Sequence, residues 1–118
     1  MTNEFVFYDL ETAPEESKNL LGDLFDKNGR NGFYSVLAGS PETLKAYTEL
    51  HELFMCTSLS DEERTVIWQT INVEHECNFC VPAHTAMAKY MNINDDVINA
   101  LRDETPLPKV KLEALRSF

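Results

Sequence analysis

Basic residues are scarce in this sequence. Ten Lys and Arg stand against twenty Asp and Glu, a formal net charge of -10, and no segment gathers them into a stripe able to neutralise phosphates. Nucleic acid is thereby excluded as a partner, and an anionic membrane surface would repel the chain for the same reason. Long apolar runs are also missing, since none approaches the ~20 residues that span a bilayer. The opening Met1-Thr2-Asn3-Glu4-Phe5 lacks a basic stretch followed by an apolar one, so it reads as neither a secretory signal nor a transit peptide. A soluble cytoplasmic protein is the expectation. No internal repeat, low-complexity tract or linker breaks the chain, so residues 1–118 read as one domain. Cysteine is sparse as well: three residues in a reducing compartment do not make a disulfide framework. Paired cysteines there point instead to redox catalysis or to a metal.

The 118 residues are 43% apolar, ordinary for a globular chain with a single core. Such a core is modest in size, which makes a homo-oligomer the default expectation. Apolar residues recur mostly at helical spacing, with caps at the breaks. About six helices are expected, an all-α domain. Phe5 to Tyr8 looks extended but too short and solitary to found a sheet, so it reads as an arm. Pro14, Glu15 and Glu16 open the first helix, and Asn28-Gly29 ends it. Phe33 to Leu37 adds a short turn. Ser40 caps a second long helix with Pro41 at its first position, and Leu44, Tyr47, His51 and Phe54 share one of its faces. His51 on that stripe reads as a hydrogen-bonded core or interface histidine. Ser60 and Glu63 form a capping box ahead of an expected buried face of Val66, Ile67, Thr70 and Ile71. Ala83, Met87 and Tyr90 mark the next helix, which stops near Asn92. Asn94 caps another from Asp95 to about Asp103, and Pro106 and Pro108 separate it from a last helical segment, Lys109 to Phe118. Leu112, Leu115 and Phe118 there need a surface to bury against, from a partner subunit or from further chain.

The distinctive stretch is Cys77-Asn78-Phe79-Cys80-Val81-Pro82-Ala83-His84. If it is helical from Cys77 or Asn78, as Pro82 in a first turn suggests, both thiols lie at a helix start and share a side with His84. Unpaired amides at a helix start favour the thiolate, which is the reactive form. His84, four residues after Cys80, is placed to accept its proton, so Cys80 reads as the nucleophile. Cys77, a helical separation of ~5 Å away between Cα atoms, is within disulfide range. A Cys80 sulfenic acid would then condense with Cys77 to a disulfide. This chemistry calls for no cofactor, neither metal nor flavin. Other readings compete. Cys77, Cys80 and His84 with His75 or Glu74 make a possible structural zinc set in a non-enzymatic helical module, although ligands crowded at one helix start make a poor tetrahedron. Haem attachment fails because Val81 stands where CxxCH needs its histidine. Two buried core cysteines are the plainest alternative. Cys56, with no His or Cys beside it, reads as a buried structural thiol.

Across most of its length the chain resembles the AhpD-like alkylhydroperoxidases of the carboxymuconolactone decarboxylase superfamily. The likeness is carried by Thr12-Ala13-Pro14-Glu15-Glu16-Ser17, Leu59-Ser60 with Glu63-Arg64, the Cys77 to His84 motif with Thr85 after it, and Lys111-Leu112-Glu113-Ala114-Leu115. It implies an all-helical antioxidant peroxidase assembled as a trimer or hexamer, with further helices after Phe118. It also implies that Cys80 is oxidised by hydrogen peroxide or an organic hydroperoxide. Cys77 would be proton donor and disulfide partner, and His84 part of a proton relay. The resemblance implies a thiol reductant such as a lipoylated or thioredoxin-like protein. The family's relay carboxylate stands twelve residues before the first cysteine, where this chain has Thr65. Glu62, Gln69 and Glu74 are the candidates to substitute for it. The sister activity, decarboxylation of a lactone, does not call for paired thiols.

Overall fold

In a computed structural model the described residues are 4–118, and among them lie seven helices and no strand. The protein is all-α, with one helix more than the expected six. The chain forms two compact units, one extending to Thr57 and the other Ser58–Phe118, each with its own core.

The first unit holds α1 (Glu15–Asn28), α2 (Gly32–Leu37) and α3 (Pro41–Met55). Pro14 is the residue before α1 rather than inside its first turn, and Glu15 and Glu16 follow at the positive end of the helix dipole. Gly29, at φ 75, ends the helix in a conformation that a side chain would strain, and its N–H donates to the Phe25 carbonyl. The Asn31 side chain accepts from the Tyr34 N–H to start α2, and Ser40 accepts from the Thr43 N–H to start α3. Leu21, Leu24, Ala38 and Leu44 form the core with Ala13. Within it the buried Ser17 hydroxyl donates to the Ala38 carbonyl at 2.7 Å, so its burial leaves no orphan.

The arm at Phe5 to Tyr8 is irregular, and its Tyr8 N–H donates to the Ser35 carbonyl. Tyr8 lies so close over Gly39 that a Cβ there would come within 2.7 Å of the ring. On α3 Leu44 is buried, whereas Tyr47, His51 and Phe54 are half-buried, the His51 ring stacking on Tyr47 with centroids 6.1 Å apart. Cys56 is exposed, against the expectation of a buried thiol. Twelve residues past Leu44, at 3.6 residues per turn, it is rotated about 120° away from the buried stripe.

The second unit holds α4 (Asp61–Glu74), α5 (Cys80–Tyr90), α6 (Asp95–Asp103) and α7 (Val110–Ser117), and α4 packs against all three of the others. Its capping box is formed in both directions: the Glu63 N–H donates to Ser60 Oγ, and the Ser60 N–H to Glu63. The buried face of α4 differs from the expected one. Arg64, Thr65, Val66 and Gln69 are buried, while Ile71 is 54% exposed. Most of their polar groups find partners: Thr65 Oγ1 donates to the Asp61 carbonyl, and the terminal nitrogens of Arg64 reach Asp61 and the Leu59 carbonyl, while Arg64 Nε is buried without one.

On α5 the buried side is likewise displaced. Ala88 is buried with Val81, His84 and Thr85 partly so, whereas Ala83 and Tyr90 are exposed. The stripe Val81, Thr85, Ala88 follows i, i+4, i+7 spacing.

Leu112, which needed a surface to bury against, finds it inside the unit. It is 2% exposed and packs with Val66, Val97, Leu101 and Leu107, with Leu115 alongside, while Phe118 stays exposed. Burying such a leucine contributes roughly 1.5–3 kcal/mol. Charge pairs fix the start of α7 to the start of α4, Lys109 to Glu62 at 2.6 Å and Lys111 to Glu63 at 2.5 Å. No helix among the described residues is long and apolar enough to cross a membrane.

Candidate redox site

The site lies in the second unit, in the turn from α4 to α5. After Glu74 the chain leaves α4 through His75, and Glu76 takes a left-handed φ of 49. The Cys77 N–H then donates back to the Asn72 carbonyl at 3.0 Å. Cys77 and Cys80 are joined as a disulfide, with Cα atoms 5.2 Å apart. The helix begins at Cys80, not at Cys77 or Asn78. Cys77 therefore stands outside α5, and the three motif side chains do not share one helical face. Pro82 sits in the first turn, where its missing N–H costs nothing.

This start gives the two sulfurs different settings. Cys77 lies three residues ahead of the first helical residue and its sulfur accepts the Cys80 N–H at 3.1 Å, whereas Phe79, the residue at the helix boundary, makes no side-chain cap. Cys80 is the first helical residue and is half-buried. In the dithiol state an N–H aimed at Cys77 Sγ favours negative charge on that atom, while the Val81 N–H of the first turn is taken up by the Cys77 carbonyl. His84, one turn beyond Cys80, is half-buried with its ring 5.1 Å from the Trp68 ring. Phe79, between the cysteines, is 55% exposed.

The four relay candidates fall in different places. Gln69 is 2% exposed and reaches the motif directly: its amide nitrogen donates to the Val81 carbonyl at 3.1 Å and to Thr85 Oγ1 at 3.0 Å. Thr65, one turn earlier, is buried with its hydroxyl committed to the Asp61 carbonyl. Glu62 is paired with Lys109 at the far end of α4, about 10 Å along the helix from Gln69 at ~1.5 Å per residue. Glu74 is exposed and lines a cavity of about 280 Å³ with Thr70, Val73, Leu101, Glu104 and Arg116, away from the cysteines. His75, the other candidate zinc ligand, is exposed. Among the described residues no three His, Cys, Asp or Glu side chains converge as a metal set.

Residues that sequence reasoning gave no role also belong here. Asn72 donates to Gln69 Oε1 at 3.0 Å, Thr85 donates to the Val81 carbonyl at 2.7 Å, and Trp68 lies against His84. Helical spacing was the available signal, since Gln69 and Asn72 are three apart and Val81 and Thr85 four apart. No known protein family matches this sequence, and no curated protein matches it.

Proposed function

We propose that the protein is a thiol peroxidase of the alkylhydroperoxidase type, working through a Cys77–Cys80 dithiol–disulfide cycle. The observation that carries this reading is the pairing of Cys77 with Cys80 across a helix-starting turn, the Cys80 N–H on the Cys77 sulfur. In the cycle, His84 accepts the Cys80 proton and the Cys80 thiolate attacks the terminal oxygen of the peroxide. The O–O bond breaks, Cys80 becomes a sulfenic acid, and the leaving alkoxide or hydroxide takes up a proton. The Cys77 thiolate then attacks Cys80 Sγ, the S–S bond forms and water leaves with the sulfenic oxygen. Two electrons and two protons from an external dithiol, such as a lipoylated or thioredoxin-like protein, restore both thiols.

The N–H on Cys77 Sγ supports its part, because the resolving step needs an ionised Cys77. The resemblance to the AhpD-like family supports the same roles, together with a cytoplasmic homo-oligomer, a trimer or hexamer. Among the relay candidates Gln69 has the contact to the motif, but an amide does not accept a proton at neutral pH. Its contribution is therefore to hold the motif, and His84 serves as the base.

The test is a thiol count on the purified protein before and after one equivalent of hydrogen peroxide, with linkage mapped by mass spectrometry and metal content measured beside it. Two thiols should be lost rapidly into a Cys77–Cys80 disulfide. Cys80→Ser should abolish peroxide consumption, and Cys77→Ser should leave a trappable sulfenic acid at Cys80. Full turnover by Cys80→Ser, or inert thiols in a zinc-loaded protein, would sink the proposal.

A further inference from the structure

Four hydrogen bonds around the cysteine turn close into a ring. The Cys77 N–H donates to the Asn72 carbonyl at 3.0 Å, and Asn72 Nδ2 donates to Gln69 Oε1 at 3.0 Å. Gln69 Nε2 donates to the Val81 carbonyl at 3.1 Å, and the Val81 N–H donates to the Cys77 carbonyl at 3.1 Å. Residues on both sides of the Cys77–Cys80 turn are thus tied to one face of α4. The second hydrogen of Gln69 Nε2 goes to Thr85 Oγ1, so both of its N–H groups and its oxygen have partners. A buried amide where α4 packs on α5 is costly unless so satisfied, and an apolar side chain would serve packing there without that requirement. Every hydrogen bond of the Gln69 side chain goes to the ring or to Thr85 beside it.

We propose that Gln69 and Asn72 are positioning residues that set the redox poise of the Cys77–Cys80 pair, making it more reducing than an unclamped CxxC pair. This rests on the dithiol–disulfide reading above but not on peroxide being the oxidant. Forming the disulfide requires the two sulfurs to meet, and the cost is the freedom the turn has in the dithiol state. A turn tied at both sides has little freedom to lose. The disulfide is therefore favoured, and the potential falls. Opening the ring at either side chain loosens the dithiol and raises the potential.

The experiment equilibrates the whole chain with graded ratios of reduced and oxidised glutathione and reads dithiol against disulfide by alkylation and mass spectrometry. Gln69→Met and Asn72→Ala should each lower the equilibrium constant for the disulfide about tenfold, raising the potential by about 30 mV. Because both open the same ring, the double variant should shift no further than the larger single shift. Leu112→Ala, a core lesion outside the ring, should lower stability and leave the potential in place. Equilibrium constants within twofold of the parent's in both single variants, with helix content retained, would overturn the inference while leaving the redox cycle standing. Additive shifts, or an equal shift from Leu112→Ala, would reduce the two side chains to general packing and overturn it too. A parent protein that never forms the Cys77–Cys80 disulfide would overturn the cycle and the clamp together.

Discussion

At the scale of single residues, the site turns on which group touches which sulfur. Cys77 Sγ receives the Cys80 N–H, an arrangement that arises because α5 begins at Cys80 rather than at Cys77 or Asn78. His84 is one helical turn from Cys80, with its ring 5.1 Å from that of Trp68. Replacing His84 by Ala should move the pH midpoint of Cys80 alkylation upward and slow peroxide consumption at pH 7 by about 10²-fold or more, the usual contribution of a positioned acid–base group. An unchanged pH–rate profile would remove His84 from the proposed relay. Glutamine at position 69 shows the limit of reading residue types. Sequence spacing offers it as a stand-in for a carboxylate, whereas its contacts make it a holder of backbone.

At the scale of elements, caps carry much of the legible information. Ser60 and Glu63, Ser40 with Pro41, Asn94, and Gly29 all act where their types and spacing place them. Each meets the orphan amides or carbonyls of a helix end locally, without help from the rest of the chain. Ser60→Ala should therefore cost about 1 kcal/mol of stability, seen as a lower urea midpoint with an unchanged slope. The same helix carries Gln69 and Asn72, so the loss should reach the cysteine turn as faster hydrogen exchange at the Val81 amide. A midpoint equal to the parent's would mean the box is not limiting α4. Helix faces were less legible. Ile71 and Tyr90 look buried by periodicity but are exposed, because the choice of inward stripe is made by the neighbouring helix. Here that choice favours Gln69 against Val81 and Thr85.

At the scale of the whole molecule, charge dominates. A net charge of -10 repels itself at neutral pH, and salt or mild acid should relieve it. Opposing this, paired carboxylates need their charge. Lys111 together with the Ser60 N–H holds Glu63 below the usual carboxylate range, and the Arg116 guanidinium with the Leu107 N–H does the same for Glu113. Arg102 lowers Asp103 likewise. A carboxyl whose folded pKa is lowered adds stability above its unfolded value, 4.5 for Glu and 3.8 for Asp, and that contribution is lost as pH falls through the folded pKa. The thermal midpoint should thus hold or rise between pH 7 and about 5, then fall below about pH 4. Glu63→Gln and Glu113→Gln together should blunt the acid limb. A midpoint that declines steadily from pH 7 would contradict this account.

By itself the sequence determined the helical class, the ends of most helices, and the residues that form the cysteine motif, because periodicity and capping are local and act within a few residues. Only the tertiary structure decided the rest. The division after Thr57 carries no linker signature, and Leu112 appeared to lack a partner until Val66, Val97 and Leu101 closed around it. The ring through Asn72, Gln69, Val81 and Cys77 joins α4 to the start of α5, and two of its four bonds involve side chains whose partners are chosen by packing. Hydrogen bonds between elements depend on which faces meet, and that is settled by the sum of the burial around them rather than by any short stretch of chain.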